Sequence, residues 1–198
     1  MTEPTVDLDG IFHLILNIDT KKSSGPDNIP NEFLRRYSEV LSSYLNVIFS
    51  ESLRQSRLPT DWLCAKIVPI HKTGDKLLAS NYRPISILST TCKILEHIIA
   101  SQIMCYLETN NILVDFQHGF RKKLSTVTQL ATVLHDFTVV INKGLQADAI
   151  FLDLSKAFDR VPHNMLLFKL RRIAEKTVQL NALSQDLVLL HKCIRARL

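Results

Sequence analysis

The sequence predicts a mixed α+β fold, and three observations carry that expectation. Apolar residues recur at steps of three and four over three long stretches, the period of an amphipathic helix. Between and after them lie short apolar runs bounded by Pro, Gly or Asn, the pattern of strands. The composition is that of an ordinary globular chain, 198 residues with 46% hydrophobic and 22% charged. Such a composition excludes a disordered acidic or basic tail, which needs low hydrophobicity and high charge. Five glycines and seven prolines are too few for a collagen-like or linker-rich chain. The length suits one domain, or one large lobe of a domain, with a sizeable core.

The first helix is expected after Ile29-Pro30-Asn31, with Asn31 as N-cap, running to about Leu53. Its apolar face is read as Phe33, Leu34, Tyr37, Leu41, Tyr44, Leu45, Ile48 and Phe49. Ala65 to Ile70 reads as a strand in which Pro69 marks an edge or an end. Ile85 to Leu88 is a weaker second strand. The second helix starts near Ser89-Thr90-Thr91 and runs to about Glu108, where Asn110-Asn111 stops it. A Ser125 cap opens the third helix, with Val127, Leu130, Leu134, Phe137 and Ile141 on one stripe and Lys143-Gly144 as its stop. Ala149-Ile150-Phe151-Leu152 is the best strand candidate. A further helix is expected after Pro162-His163-Asn164, with Leu166, Leu167, Leu170 and Ile173 as its stripe. Loops are placed at 21–28, 72–82 and 114–124.

The formal net charge is +5, from 24 Lys+Arg against 19 Asp+Glu. The basic residues come in small clusters, among them Lys21-Lys22, Arg35-Arg36 and Arg121-Lys122-Lys123. Clusters of this kind suit a phosphate backbone, because neutralising phosphates releases counterions; they equally suit a solvated face. The four cysteines, Cys64, Cys92, Cys105 and Cys193, have no C-x-x-C spacing and are expected to be reduced thiols. No apolar run approaches the roughly 20 residues that span a bilayer. Neither a signal peptide nor a membrane partner is expected, and an intracellular place, nuclear or cytoplasmic, is.

Chemistry concentrates in Phe151-Leu152-Asp153-Leu154-Ser155-Lys156-Ala157-Phe158-Asp159. An apolar strand there delivers the Asp153 carboxylate at its C-terminal end. Such a carboxylate, with the Leu154 carbonyl beside it, offers oxygen ligands to a hard cation such as Mg²⁺. The same residues also permit a plainer reading in which Asp153 caps a turn and Asp159 caps the next helix.

Four blocks give the sequence a family resemblance. Lys22-Ser23-Ser24-Gly25-Pro26-Asp27-Asn28-Ile29-Pro30 is the first. Asn28 stands there where Gly is usual, and Asn also tolerates positive φ, so the turn is expected to survive. Trp62 to Asp75, followed by Asn81-Tyr82-Arg83-Pro84-Ile85-Ser86-Ile87, is the second. Gln117-His118-Gly119-Phe120-Arg121 with Ser125-Thr126 is the third, and Phe151 to His163 the fourth. In this order the blocks resemble the reverse transcriptase domain of non-LTR (LINE-type, jockey-like) retrotransposons over about residues 11–173.

The resemblance implies a right-hand fold of which this chain holds the fingers and part of the palm, with the thumb absent. Residues 1–10 become a lead-in, 11–148 the fingers region with the helix leading to the palm, 149–173 the start of the palm, and 174–198 a divergent tail. The family joins a primer 3′-hydroxyl to a deoxynucleoside triphosphate on an RNA template, with two Mg²⁺ ions about 4 Å apart. By resemblance Asp153 binds metal and is catalytic, and Leu154 offers its carbonyl to the metal. Phe158 screens the nucleotide sugar, and Lys72 and Arg83 reach the triphosphate. Arg121, Lys122 and Lys123 meet the template backbone. Each has an ordinary alternative: an exposed turn for Lys72, a carboxylate partner for Arg83, core packing for Phe158 and solvation for 121–123.

One family element is missing from the sequence. Tyr37, Tyr44, Tyr82 and Tyr106 are none of them followed by x-Asp-Asp, and the chain has no Asp-Asp dipeptide. The expectation is therefore a polymerase fragment, truncated after the first palm motif and inactive alone. A residual RNA-binding module and a non-functional remnant are the alternatives. Apolar surface left by an incomplete palm could also drive self-association.

Overall fold

The computed structural model describes residues 5–154, 157 and 160–175. They fall into two compact units, one drawn from Met1–Ile103 and Arg160–Leu198 and the other from Met104–Asp159.

The first unit opens with a helix absent from the expectations above, α1 (Leu8–Leu16). Asp7 caps it, its Oδ2 accepting from the Gly10 N–H at 2.8 Å. Ile11 and Ile15 on its inner face are fully buried. The expected single helix from Asn31 is two, α2 (Asn31–Arg36) and α3 (Ser38–Gln55), with a bend at Tyr37 (φ −107°, ψ 25°). Its inner face is the expected one only at Leu34, Leu45 and Phe49. Ser38, Ser42, Leu45, Phe49 and Ser52 are buried, whereas Phe33, Tyr37, Tyr44 and Ile48 are exposed. The physical reason is size: α1 packs against α3, and a buried face of Ser38, Ser42 and Ser52 beside Leu45 and Phe49 takes less room than a row of aromatic rings. Phe49 closes this core with an edge-to-face contact to Trp62, centroids 5.6 Å apart.

Asn31 is not an N-cap. Pro30 holds that position, and Asn31 is the first helical residue, 5% exposed. Its side chain is spent tertiarily: Nδ2 donates to the carbonyls of Asp19 (2.9 Å) and Lys22 (3.4 Å), and Oδ1 accepts from the Thr90 hydroxyl (2.6 Å). A buried amide with both ends satisfied ties three segments together. Next to it Gly25 lies flat on the chain at Leu88–Ser89. A Cβ at Gly25 would meet the Ser89 Cα at 2.4 Å and the Leu88 carbonyl oxygen at 2.6 Å. Asn28 takes the left-handed turn expected of it (φ 55°).

The one ladder among the described residues is an antiparallel pair, β1 (Lys66–His71) and β2 (Tyr82–Ile87), in which Ile70 faces Arg83 and Pro69 faces Pro84. The Lys72 N–H donates to the Asn81 carbonyl (2.8 Å), which makes that pair a hydrogen-bonded one. Alternation along the ladder then puts Pro69 and Pro84 at a non-hydrogen-bonded pair, where neither missing N–H costs a bond between strands.

From β2 the chain enters α4 (Thr90–Thr109), with Cys92, Ile94, Leu95, Ile99 and Ile103 buried. Asn111 in the left-handed region (φ 51°) ends it, as the sequence indicates. α6 (His163–Glu175) also forms where expected, with Leu166, Leu167, Leu170 and Ile173 half-buried.

The second unit holds α5 (Thr126–Asn142), capped by Ser125 and Thr128 reciprocally and stopped at Gly144 (φ 68°). Its expected apolar stripe is present and largely uncovered: Val127, Leu130, Leu134 and Ile141 are all more than half exposed, and Phe137 is half-buried. The strand expected at 149–152 does not form. Ile150, Phe151 and Leu152 are 84–93% exposed. An apolar run becomes a strand only against a neighbour that completes its ladder, and no described segment pairs with this one. Cys64, Cys92 and Cys105 take part in no disulfide among the described residues.

Candidate functional site

Lys72 and Arg83 belong to the first unit and sit at one end of the β1–β2 hairpin. Arg83 is exposed in β2 opposite Ile70, and Lys72 follows β1 directly, exposed. Side chains alternate along a strand and cross-strand partners share a face. The Lys72–Asn81 bond extends the register by one pair, so Lys72 and Arg83 are diagonal neighbours on one face. The loop between the strands is ordered from within. Asp75 Oδ1 accepts from the Leu77 N–H (2.9 Å), Asn81 Nδ2 donates to the Asp75 carbonyl (2.8 Å), and the Tyr82 hydroxyl donates to the Lys76 carbonyl (2.9 Å). Gly74 takes the positive φ (85°) that its turn requires. The hairpin thus presents an Arg and a Lys side by side on a firm support, an arrangement suited to an oxyanion with several oxygens.

Arg121, Lys122 and Lys123 belong to the second unit and lie between α4 and α5. Arg121 differs from its two neighbours. Its guanidinium forks onto Glu108, Nε to Oε1 at 2.9 Å and Nη2 to Oε2 at 2.6 Å, and Nη1 donates to the Val114 carbonyl at 2.9 Å. The Arg121 side chain is 14% exposed against 38% for Glu108. The Arg121 hydrogen bonds hold the Glu108 carboxyl below the usual carboxylate range, and Glu108 in turn raises the Arg121 guanidinium. At the other end of the loop the Thr128 hydroxyl donates to the Ser125 carbonyl and accepts from the Ser125 N–H, with His118 Nδ1 2.8 Å away. Phe120 (φ 62°) and Lys123 (φ 65°) are left-handed without being glycine, a conformation that costs roughly 1–2 kcal/mol. Lys122 and Lys123 are exposed.

The Glu108 linkage has a definite sign. Its carboxyl is lowered in the folded chain, so the fork stabilises the loop fully above the ordinary carboxylate range. That stabilisation is lost as pH falls through the lowered value. The Arg121 Nε–H resonance is expected to stay protected from exchange from neutral pH down through the ordinary carboxylate range and to be lost only below it. Loss of protection near neutral pH would contradict the fork.

Asp153 and Leu154 are exposed at the end of the apolar run, and the Leu154 carbonyl accepts from the Ala157 N–H at 3.2 Å, closing a turn. One carboxylate and one partly used carbonyl fall short of a magnesium site, which takes six oxygens. Among the described residues no group of three or more His, Cys, Asp or Glu could hold a metal ion. Phe158, expected to screen the nucleotide sugar, lies outside the described residues, as do Asp159 and the tail from residue 176.

A reverse transcriptase (RNA-dependent DNA polymerase) family profile matches residues 70–194. The chain belongs to the reverse transcriptase family. Its relatives are the polymerases of non-LTR elements. It is 34% identical over 164 residues to the probable RNA-directed DNA polymerase from transposon BS of Drosophila melanogaster, covering 82% of this chain and 18% of that protein. It is 32% identical over 169 residues to the RNA-directed DNA polymerase from mobile element jockey of the same species, covering 85% of this chain and 18% of the relative. The X-element polymerase is 31% identical over 163 residues. The chain therefore spans under a fifth of the length of these relatives. No described helix is long and apolar enough to cross a membrane.

The basic loop is visible in the sequence, but Glu108, the residue that organises it, is not. Nothing in the spacing announces a partner thirteen positions away across a helix end. α1 is absent from the expectations although its signal is in the sequence: Asp7 as cap, then Leu8, Ile11, Phe12, Ile15 and Leu16 at helical steps.

Proposed function

We propose that this chain is the fingers and the start of the palm of a non-LTR retrotransposon reverse transcriptase, that it grips an RNA template, and that it does not extend a primer by itself. The observation that carries this reading is the first palm block, Phe151 to His163, with its carboxylate Asp153 in a sequence that holds no Tyr-x-Asp-Asp. Asp153 and the Leu154 carbonyl are what this chain brings toward Mg²⁺, and the described residues do not complete such a site. Lys72 and Arg83 are the residues it brings to the deoxynucleoside triphosphate. Lys122 and Lys123 meet the template backbone, and the forked Arg121 supports them.

The test is primer extension by the purified chain on an RNA template with an annealed DNA primer, Mg²⁺ and deoxynucleotides, beside Asp153→Asn. No extension by either sample is expected. Extension by the parent and not by the variant would overturn the inactivity and point to carboxylates supplied by a second copy.

The uncovered stripe of α5 and the exposed residues Ile150, Phe151 and Leu152 support self-association as part of the same reading. Sedimentation of the same sample reads it, and a strictly monomeric chain at assay concentration would remove it.

A further inference from the structure

The loop between α4 and α5 carries three adjacent cations, of which the first has three of its five N–H donors engaged by the fold. All three donor-bearing nitrogens of Arg121 that the fold engages point inward, two onto the Glu108 carboxylate and one onto the Val114 carbonyl. The Val114 carbonyl also accepts from the Gln117 N–H (3.0 Å), so both of its lone pairs are occupied. The fork joins the last turn of α4 to a point thirteen residues on. Phe120 and Lys123, on either side of Arg121 and Lys122, are both held left-handed. A backbone of that kind persists only where its surroundings over-determine it. The Leu124 N–H closes the turn on the Arg121 carbonyl (3.4 Å), which leaves Lys122 and Lys123 at its exposed tip.

We propose that Glu108 and Arg121 form a clamp whose task is to position Lys122 and Lys123 against an RNA backbone, so that the acid Glu108 strengthens the binding of an anion. The inference rests on the RNA-grip reading above. It makes Glu108 and Arg121 positioning residues and leaves the phosphate contact to the lysines.

The sign of the effect separates this from plain electrostatics. Removing a negative charge beside a polyanion tightens binding if only long-range field matters. Removing it weakens binding if the charge holds the clamp.

The probe is a short labelled oligouridylate, titrated with the full 198-residue chain at several salt concentrations and read by fluorescence anisotropy. Glu108→Gln is expected to raise Kd roughly tenfold, a change of about 1.4 kcal/mol. Arg121→Lys, which keeps the charge and loses the fork, is expected to do the same. The exchanged pair Glu108→Arg with Arg121→Glu is expected to recover part of the loss. A direct phosphate contact by Arg121 predicts the opposite for that pair, a further loss. A circular-dichroism melt on each variant checks that the fold is intact, and the exchanged pair guards against a variant that merely unfolds.

If Lys122→Glu with Lys123→Glu loses binding while Glu108→Gln binds as tightly as the parent or tighter, the clamp is wrong and the RNA grip stands. If the lysine variant binds like the parent, the RNA grip itself falls and the clamp with it.

Discussion

Replacing Gly25 with alanine is expected to cost about 3 kcal/mol, the upper end of what overpacking usually costs, and to lower the melting temperature by roughly 6–12 °C in a chain of this size. The added methyl carbon would lie 2.4 Å from the Ser89 Cα and 2.6 Å from the Leu88 carbonyl oxygen. Both are backbone atoms, so no side chain can rotate away. Either the loop around Gly25 lifts or the start of α4 shifts, and both movements pull on the Asn31–Thr90 hydrogen bond. Gly119→Ala is the matched control. A Cβ there meets nothing within 4 Å, and its effect is expected to stay within about 0.5 kcal/mol. Equal melting temperatures for the two variants would show that the contact at Leu88–Ser89 is not tight in solution.

Reversing Lys122 and Lys123 together to glutamate is expected to weaken single-stranded RNA binding on the order of tenfold per lysine, as the loss of a charge-assisted phosphate contact implies. The salt dependence is the sharper readout. Each phosphate contact on a single strand contributes roughly 0.7 to the slope of log Kd against log salt, so two lost contacts flatten it by about 1.4. Lys93→Glu, an exposed lysine on α4, changes the net charge by the same amount per residue without touching the loop. It is expected to shift affinity only slightly. Equal losses from Lys93→Glu and from a single loop reversal would mean that net charge alone sets the affinity.

What could be read from the sequence and what could not divide along a physical line. Helix ends are local chemistry, and they were legible: Ser125 with Thr128 opens α5, Asn111 ends α4, and α6 begins at His163 with its stripe where the spacing put it. Which face of a helix is buried is decided by its neighbour. The aromatic steps of 33–48 described a face that is left exposed, while the buried face of α3 holds three serines beside Leu45 and Phe49. The run at 149–152 has the residues of a strand, but a strand is a pairing, and its partner is not written in its own residues. The basic triplet 121–123 shows the same limit at the site. Charge is visible in the sequence, while the partition into one inward strut and two outward cations depends on Glu108. Gly25 was legible as a member of a family block and Asn31 as a helix cap; their actual task is to fasten this segment to the start of α4.

The facing prolines of the hairpin carry one more consequence. A two-stranded sheet has two open margins, and each could template a strand from another molecule. At a non-hydrogen-bonded pair the backbone amides point outward, toward those margins. Pro69 and Pro84 remove the donor from both margins at the same level. An incoming strand would meet a break in its ladder on either side. The hairpin's own backbone therefore interrupts strand addition along both of its margins.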